Sequence, residues 1–223
     1  MKISREKSLT LYFLLLNTST IYFLPGNTKF RISTFLSNYC RVLTLIGQEV
    51  HPDSLVLDLA AGTGILALEL APRVRKVYGI DISPQMVDLA RAKAESLGIG
   101  NTEFATGDAY QLSFADGMFD VVVVSNALHV MIEPERALAE ARRVLKRDGR
   151  LIVPTFCHGE NYLSRLVCRA MNLIGFKAFQ RWSSDSFVRF IEANGYEALR
   201  KEVFRDIIPL TYLVAKKGAN GNG

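Results

Sequence analysis

Three carboxylates and one glycine turn carry the recognisable chemistry of this chain. Asp58 lies in the short apolar run Val56-Leu57-Asp58-Leu59, which leads directly into Ala60-Ala61-Gly62-Thr63-Gly64. Asp81 closes a second apolar run, Lys76 to Ile82, nineteen residues after Gly62. Asp108 stands in Gly107-Asp108-Ala109, immediately after a third extended run, Thr102 to Thr106. Acids that end successive strands or turns line up along one sheet edge. There a carboxylate can accept hydrogen bonds from both ribose hydroxyls, and another can accept one from an exocyclic base amine. Glycine at 62 and 64 lets the chain turn tightly and lets a ligand approach without meeting a Cβ. These residue types in this order suit the binding of a nucleoside.

The glycine turn leaves two cofactor classes open, because Gly62-Thr63-Gly64-Ile65-Leu66-Ala67 also fits the G-x-G-x-x-G/A pattern of dinucleotide-binding proteins. Asp81 fits both. Asp108 separates them, since an acid there, with the next backbone N–H donating to the ring, serves an adenosine lying across three strand ends.

Positioning these groups requires alternating strands and helices. Val56 to Leu59 read as a strand buried on both faces, and Ile65 to Leu70 resume helical spacing. Ser83 is an N-cap with Pro84 at the first helical position, and Met86, Val87, Leu89, Ala90 and Ala94 form the stripe of the next helix. Asp116-Gly117 supplies a turn before the strand that starts at Phe119. Pro134 to Lys146 read as a helix, and Lys146 to Val153 as a glycine turn into a fifth strand. Asn161 to Trp182 are amphipathic, long enough for one helix and a turn at Gly175; Ser184 to Glu192 form a capped helix ended by Gly195. Two apolar stretches, Glu197 to Phe204 and Ile207 to Lys216, form a terminal hairpin.

The order of glycine turn, ribose acid and Gly-Asp-Ala resembles the class I S-adenosylmethionine-dependent methyltransferases. Phe119-Asp120-Val121-Val122-Val123-Val124-Ser125-Asn126-Ala127-Leu128-His129 is similar to that family's fourth strand and following loop, and the likeness runs from Leu55 to Lys217. It implies an α/β, Rossmann-like sheet of seven strands with a C-terminal antiparallel hairpin and helices on both faces. It also implies S-adenosylmethionine as cofactor and in-line methyl transfer. By motif position, Asp58 reaches the methionine amino group, while Ala60, Ala61, Gly62 and Gly64 shape the loop beneath methionine and ribose. Asp81 takes the ribose hydroxyls, Ile82 lies against the adenine face, and Met86 borders the ribose or adenine. Gly107, Asp108 and the Ala109 backbone hold the adenine edge, and Asn126 offers its carbonyl to the methionine end. His129, from the loop after the fourth strand, is the candidate for positioning the acceptor or accepting its proton. Within that family the chain resembles the ubiquinone/menaquinone-biosynthesis methyltransferases and their relatives, implying a small-molecule or lipid-like acceptor.

Composition bounds the remaining possibilities. A chain of 223 residues with 49% hydrophobic and 22% charged residues supports one α/β domain with a solid core. The expected organisation is a helical cap segment over residues 1–50, a cofactor-binding domain over 51–217 with a substrate-cap insertion at 157–182, and a tail at 218–223. Three cysteines without Cys-x-x-Cys spacing and three scattered histidines give no metal motif and suit a reduced, cytoplasmic setting. Cys157-His158 invites a nucleophile reading, but adjacent residues at a strand end point in opposite directions. The net charge of +5 raises nucleic acid as a partner. Its densest basic group, Arg142, Arg143, Lys146, Arg147 and Arg150, sits at a helix C-terminus, where a solvated face is expected. Ser125-Asn126-Ala127-Leu128 also departs from the Asn/Asp-Pro-Pro-aromatic loop of methyltransferases acting on base amines, so nucleic acid is disfavoured.

The first fifty residues lie outside these motifs. Lys2, Arg5 and Lys7 precede the apolar Leu9 to Leu16, superficially a signal peptide, but no small-x-small cleavage site follows. Leu9 to Leu24 are expected to cap the site, with a membrane-interface element as the alternative, and Phe30 to Val50 to form a helix. Basic residues interleaved with apolar ones in Asn161 to Trp182 add a peripheral contact with anionic lipid. Two other functions stay open: an NAD(P)-dependent oxidoreductase, whose best support, Tyr212-x-x-x-Lys216, falls in the terminal strand rather than at a helix start, and a cofactor-binding protein without transfer activity.

Overall fold

Val56 and Leu57 face opposite sides of one sheet, and both are fully buried. That alternation, at the centre of a parallel sheet covered by helices on both faces, explains why the run reads as continuously apolar. The computed structural model describes residues 40–173, 178–205 and 208–219. Its elements are a helix over 40–48 (α1), β1 (Leu55–Leu59), α2 (Ile65–Leu70), β2 (Lys76–Asp81), α3 (Pro84–Ser96), β3 (Thr102–Thr106) and β4 (Phe119–Val123). They continue with α4 (Pro134–Val144), β5 (Leu145–Ile152), β6 (Thr155–Phe156), α5 (Tyr162–Leu173), α6 (Ser184–Ala193), β7 (Tyr196–Phe204) and β8 (Leu210–Lys217).

The strands lie in the order β3-β2-β1-β4-β5-β8, with β7 along the outer side of β8. Strands β1 to β5 pair in parallel, and β8 runs antiparallel to both β5 and β7. Eight strands stand where seven were expected, because β6 prolongs the line of β5 and pairs with the same β8, Thr155 opposite Thr211. Pro154 separates the two pieces; a proline has no N–H to give the ladder, so the strand is interrupted there. The order reverses between β1 and β4, which opens a crevice at the carboxyl ends of these strands.

One apolar layer packs Ile46 of α1, Leu66 and Leu70 of α2 and Val87 and Ala90 of α3 against Val56, Val77 and Val121. The other packs Ala137, Leu138 and Ala141 of α4 and Phe187 and Ile191 of α6 against Leu57, Val122 and Leu213. Ser83 caps α3 by accepting the Met86 N–H, with Pro84 in the first turn. Ser183 and Ser186 cap α6 reciprocally.

Several sequence expectations shift. Helix α4 stops at Val144 rather than Lys146, because Leu145 already pairs with Phe119 in the sheet. The basic group at its end is no simple solvated face. Arg143 donates to the carbonyls of Leu112 and Phe114 and pairs with Glu140 and Asp116. Arg142 donates to the Gly195 carbonyl, and Lys146 pairs with Asp120 at 2.6 Å. Arg142 and Arg143 fasten neighbouring loops to the helix, and Lys146 ties β5 to β4. Tyr212 and Lys216 lie on strand β8, as the expected terminal hairpin places them, about 13 Å apart along the strand. Tyr212 is buried in the core and Lys216 pairs with Glu197, so the dehydrogenase-like pair is not formed. The Leu9–Leu24 segment, the first part of the Phe30–Val50 helix, Gly175 and Ile207 lie outside the described residues. Among the described residues no helix is long and apolar enough to cross a membrane.

Candidate active site

The crevice is lined by the turns that leave β1, β2, β3 and β4. After β1 the backbone passes through left-handed conformations at Ala60 (φ 62°), Gly62 (φ 55°) and Gly64 (φ 74°). At Gly64 a Cβ would stand 2.8 Å from the Phe104 ring and 2.9 Å from the Ala90 Cβ, so side-chain packing as well as φ demands glycine. Ala60 and Asn126 (φ 51°) are the non-glycine residues with positive φ among the described residues. They follow β1 and β4, the two strands that flank the crevice. Such conformations cost about 1–3 kcal/mol each and persist where surrounding structure enforces them, commonly at binding sites.

Asp81 ties the first two turns together. Its Oδ2 accepts the Gly62 N–H at 2.8 Å and its Oδ1 accepts the Ser83 N–H at 3.0 Å. Burial pushes its carboxyl above the ordinary range, and these backbone donors partly offset the rise. Each carboxylate oxygen has two acceptor sites, so capacity remains for hydroxyl donors. The Ala61 N–H donates to the Ile80 carbonyl and the Gly107 N–H to the Asp81 carbonyl, which laces the three turns into one rim.

Asp58 is deeper, 2% exposed, with an Oδ2 that has no hydrogen-bond partner. Burial first, and then the charge of Asp81, pushes its carboxyl up to about 7, against the lowering effect of a hydrogen bond from the Ala67 backbone. A buried carboxyl with an open acceptor beside a second acid is a site for a cation. Asn126 presents a comparable buried and unpartnered Oδ1, while its N–H donates to the Pro154 carbonyl at 2.8 Å.

The remaining sequence candidates divide by exposure. Ile82 is 68% exposed at the end of β2, an apolar surface offered at the rim, whereas Met86 is buried in the first turn of α3. Asp108 is exposed, and its Oδ1 accepts the Tyr110 N–H at 2.8 Å, which orients the acid at the end of β3 next to Ala109. His129 lies in a 3₁₀ turn, Leu128–Val130, and is fully buried. Its ring centroid is 5.2 Å from that of His158 and 6.5 Å from that of Phe156. Burial and the neighbouring His158 hold its imidazole well below the ordinary histidine range, so it is neutral at physiological pH. His158 is likewise depressed, to about 4, by burial and by Arg181.

His158 becomes a candidate site residue only in the folded chain. Twenty-nine positions separate it from His129, and only the course of β6 beside the post-β4 turn brings the two rings together. Its neighbour Cys157 points elsewhere, with Sγ 3.1 Å from Thr211 Oγ1 and the thiol raised by burial, which removes the nucleophile reading. Among the described residues no group of three or more His, Cys, Asp or Glu is placed to hold a metal ion.

Comparison with known proteins points the same way as this geometry. A family model described as a methyltransferase domain matches residues 57–153. A demethylmenaquinone methyltransferase of Thermus thermophilus is 44% identical over 103 residues, covering 45% of this chain and 46% of the relative. A ubiquinone/menaquinone biosynthesis C-methyltransferase of Citrifermentans bemidjiense is 30% identical over 167 residues, covering 68% of this chain and 71% of the relative. The chain spans about half the length of several other curated relatives it matches. Among solved structures, an S-adenosylmethionine-dependent methyltransferase from Methanosarcina mazei superimposes with a TM-score of 0.68 at 25% identity, over 78% of this chain and 97% of that one.

Proposed function

The chain belongs to the S-adenosylmethionine-dependent methyltransferase family, and on that premise we propose that it methylates a small, lipid-like acceptor of the quinone-precursor kind. The observation that carries the cofactor part is Asp58. Its raised carboxyl and open Oδ2, buried where the strand order reverses, suit a ligand that brings a positive charge. A dinucleotide, whose pyrophosphate is anionic, would meet the buried Asp58 carboxyl there instead. The acceptor class rests on the quinone-biosynthesis relatives.

S-adenosylmethionine supplies an activated methyl group on a sulfonium centre. The chain's task is then to hold and align. Asp58 takes the amino group of the methionine portion, and the loop of Ala60, Ala61, Gly62 and Gly64 lies beneath methionine and ribose. Asp81 accepts from the ribose hydroxyls while still bracing the Gly62 N–H. Ile82 and Met86 border the adenine; Gly107, Asp108 and the Ala109 N–H hold its edge. Asn126 offers its carbonyl to the methionine end. Alignment of reacting groups at roughly 3 Å is worth several kcal/mol of barrier, and the laced rim of turns keeps these groups fixed. His129 serves as a neutral imidazole on the acceptor side, oriented by His158 and Phe156. Its depressed basicity favours orienting the acceptor over storing a proton.

Calorimetry with S-adenosylmethionine, S-adenosylhomocysteine and NAD tests the cofactor part, with binding of the first two and not the third expected. Incubation with a short-chain demethylated naphthoquinol and detection of a methyl mass increment tests the acceptor. Methylation of polar small molecules only, with none of the quinol, overturns the acceptor class.

A further inference from the structure

Helix α5 turns part of its apolar surface outward, among the side chains described. Of its described residues, Ser164 and Cys168 are buried, whereas Tyr162 is 80% and Leu166 50% exposed, and Arg165 and Arg169 are exposed beside them. Positions 162, 165, 166 and 169 follow i, i+3, i+4, i+7 and therefore form one face. This face combines apolar bulk with two guanidinium groups. The neighbouring Glu160 is engaged, since its Oε2 accepts the Ser184 N–H.

The same end of the molecule carries more of this pattern. Arg165 donates to the Gly159 carbonyl, the Gly159 N–H donates to the Trp182 carbonyl, and the Gln180 N–H donates to the His129 carbonyl. That chain of bonds ties α5 and residues 178–182 to the turn after β4, beside the crevice. Phe179 and Ile132, both about half exposed, belong to these tied segments. Apolar side chains flanked by arginines at the mouth of a site match the interface of an anionic bilayer, where aromatic and leucine groups enter the headgroup boundary and arginines meet the phosphates.

We infer that the outer face of α5 docks on an anionic lipid surface and presents the crevice to an acceptor dissolved in that bilayer. The inference rests on the lipid-like acceptor proposed above, and it names where the acceptor enters. The test is co-sedimentation of the full chain with phosphatidylcholine vesicles, with and without phosphatidylglycerol, across a salt series. Binding only to the anionic vesicles, weakened by salt, is expected. Leu166→Glu should abolish it. Arg169→Gln, a milder surface change, should weaken it about fivefold, the factor for one basic residue near a membrane surface. Both variants should bind S-adenosylhomocysteine like the wild type, and turnover of a water-soluble quinol should stay unchanged while turnover of a vesicle-embedded one falls. Equal binding to neutral and anionic vesicles overturns the inference, as does undiminished binding by both variants. So does a stable dimer of the wild type that Leu166→Glu dissolves, because the face then meets a second copy. Vesicle binding that behaves as expected alongside a failure to methylate any quinol leaves the docking face standing and removes the acceptor class instead.

Discussion

Cofactor binding should release a proton from Asp58, and its affinity should fall steeply in acid. The carboxyl of the free protein is poised at about 7 because it is buried beside Asp81 and its Oδ2 has no donor. A ligand ammonium held against it favours the charged form and pulls that pKa far down. The sign follows directly: the ligand ammonium pairs with the carboxylate, so protonation of Asp58 below 7 competes with binding, while loss of the ligand ammonium's own proton sets a separate alkaline limit. A group with this pKa is about nine-tenths ionised at pH 8 and about one-hundredth ionised at pH 5. Apparent affinity should therefore drop about 90-fold over that range, which is about 2.7 kcal/mol at 1.36 kcal/mol per decade. At pH 7 about half a proton should leave per cofactor bound. Asp81, also raised by burial, acts in the same direction and can only steepen the acid limb. Titration calorimetry in two buffers of different ionisation enthalpy measures the released protons, and the pH series measures the affinity. Asp58→Asn should bind more weakly at pH 8 by about 1.5–3 kcal/mol, the range for hydrogen bonds to charged groups, and should lose most of the pH dependence. A wild-type affinity that is flat from pH 8 to pH 5, with no proton release, would refute the assignment of Asp58 to a cationic ligand.

The other expectations are simpler. Without cofactor, Asp58 holds its proton more tightly folded than unfolded, so its contribution to stability is greatest in acid and declines as pH rises from about 4 through 7. The increase in Tm on adding cofactor should accordingly be larger at pH 8 than at pH 6. Asp81→Ala should weaken cofactor binding by about 1.5–3 kcal/mol in calorimetry and leave a folded protein; unchanged affinity would take Asp81 out of the site. Gly64→Ala, at φ 74° and against Phe104 and Ala90, should lower stability by more than the ~1 kcal/mol scale of unstrained glycine replacements, read as the denaturant midpoint. His129→Ala should keep cofactor affinity while lowering kcat on the true acceptor, and wild-type turnover would leave the imidazole a core residue only.

Much of the rim of turns at the strand ends was legible along the chain, because its determinants are local. The turn after Leu59 announces itself by Gly62 and Gly64, whose left-handed backbone and crowded approach tolerate little else. Ser83 and Pro84 mark a helix start with their own side chains, and Asp81 falls at a strand end wherever that strand pairs. Strands β1, β2 and β3 carry their pattern within five or six residues, so their limits could be read closely.

What depends on contact between distant segments could not be read that way. No spacing rule joins His129 to His158; their rings meet because β6 continues the line of β5 past Pro154 and runs beside the turn after β4. Arg143 looks like one more exposed cation until the 112–116 loop closes over it and offers two carbonyls. The ionisation of Asp58 is likewise a tertiary property, since burial and the approach of Asp81 set it rather than any neighbour in the chain. The sequence by itself determined the type and order of the elements and the acids at their ends, through backbone sterics and hydrophobic period. Only the packed sheet decided which of those polar groups lie buried without a partner, and burial is what turns a carboxyl at a strand end into a site for a charged ligand.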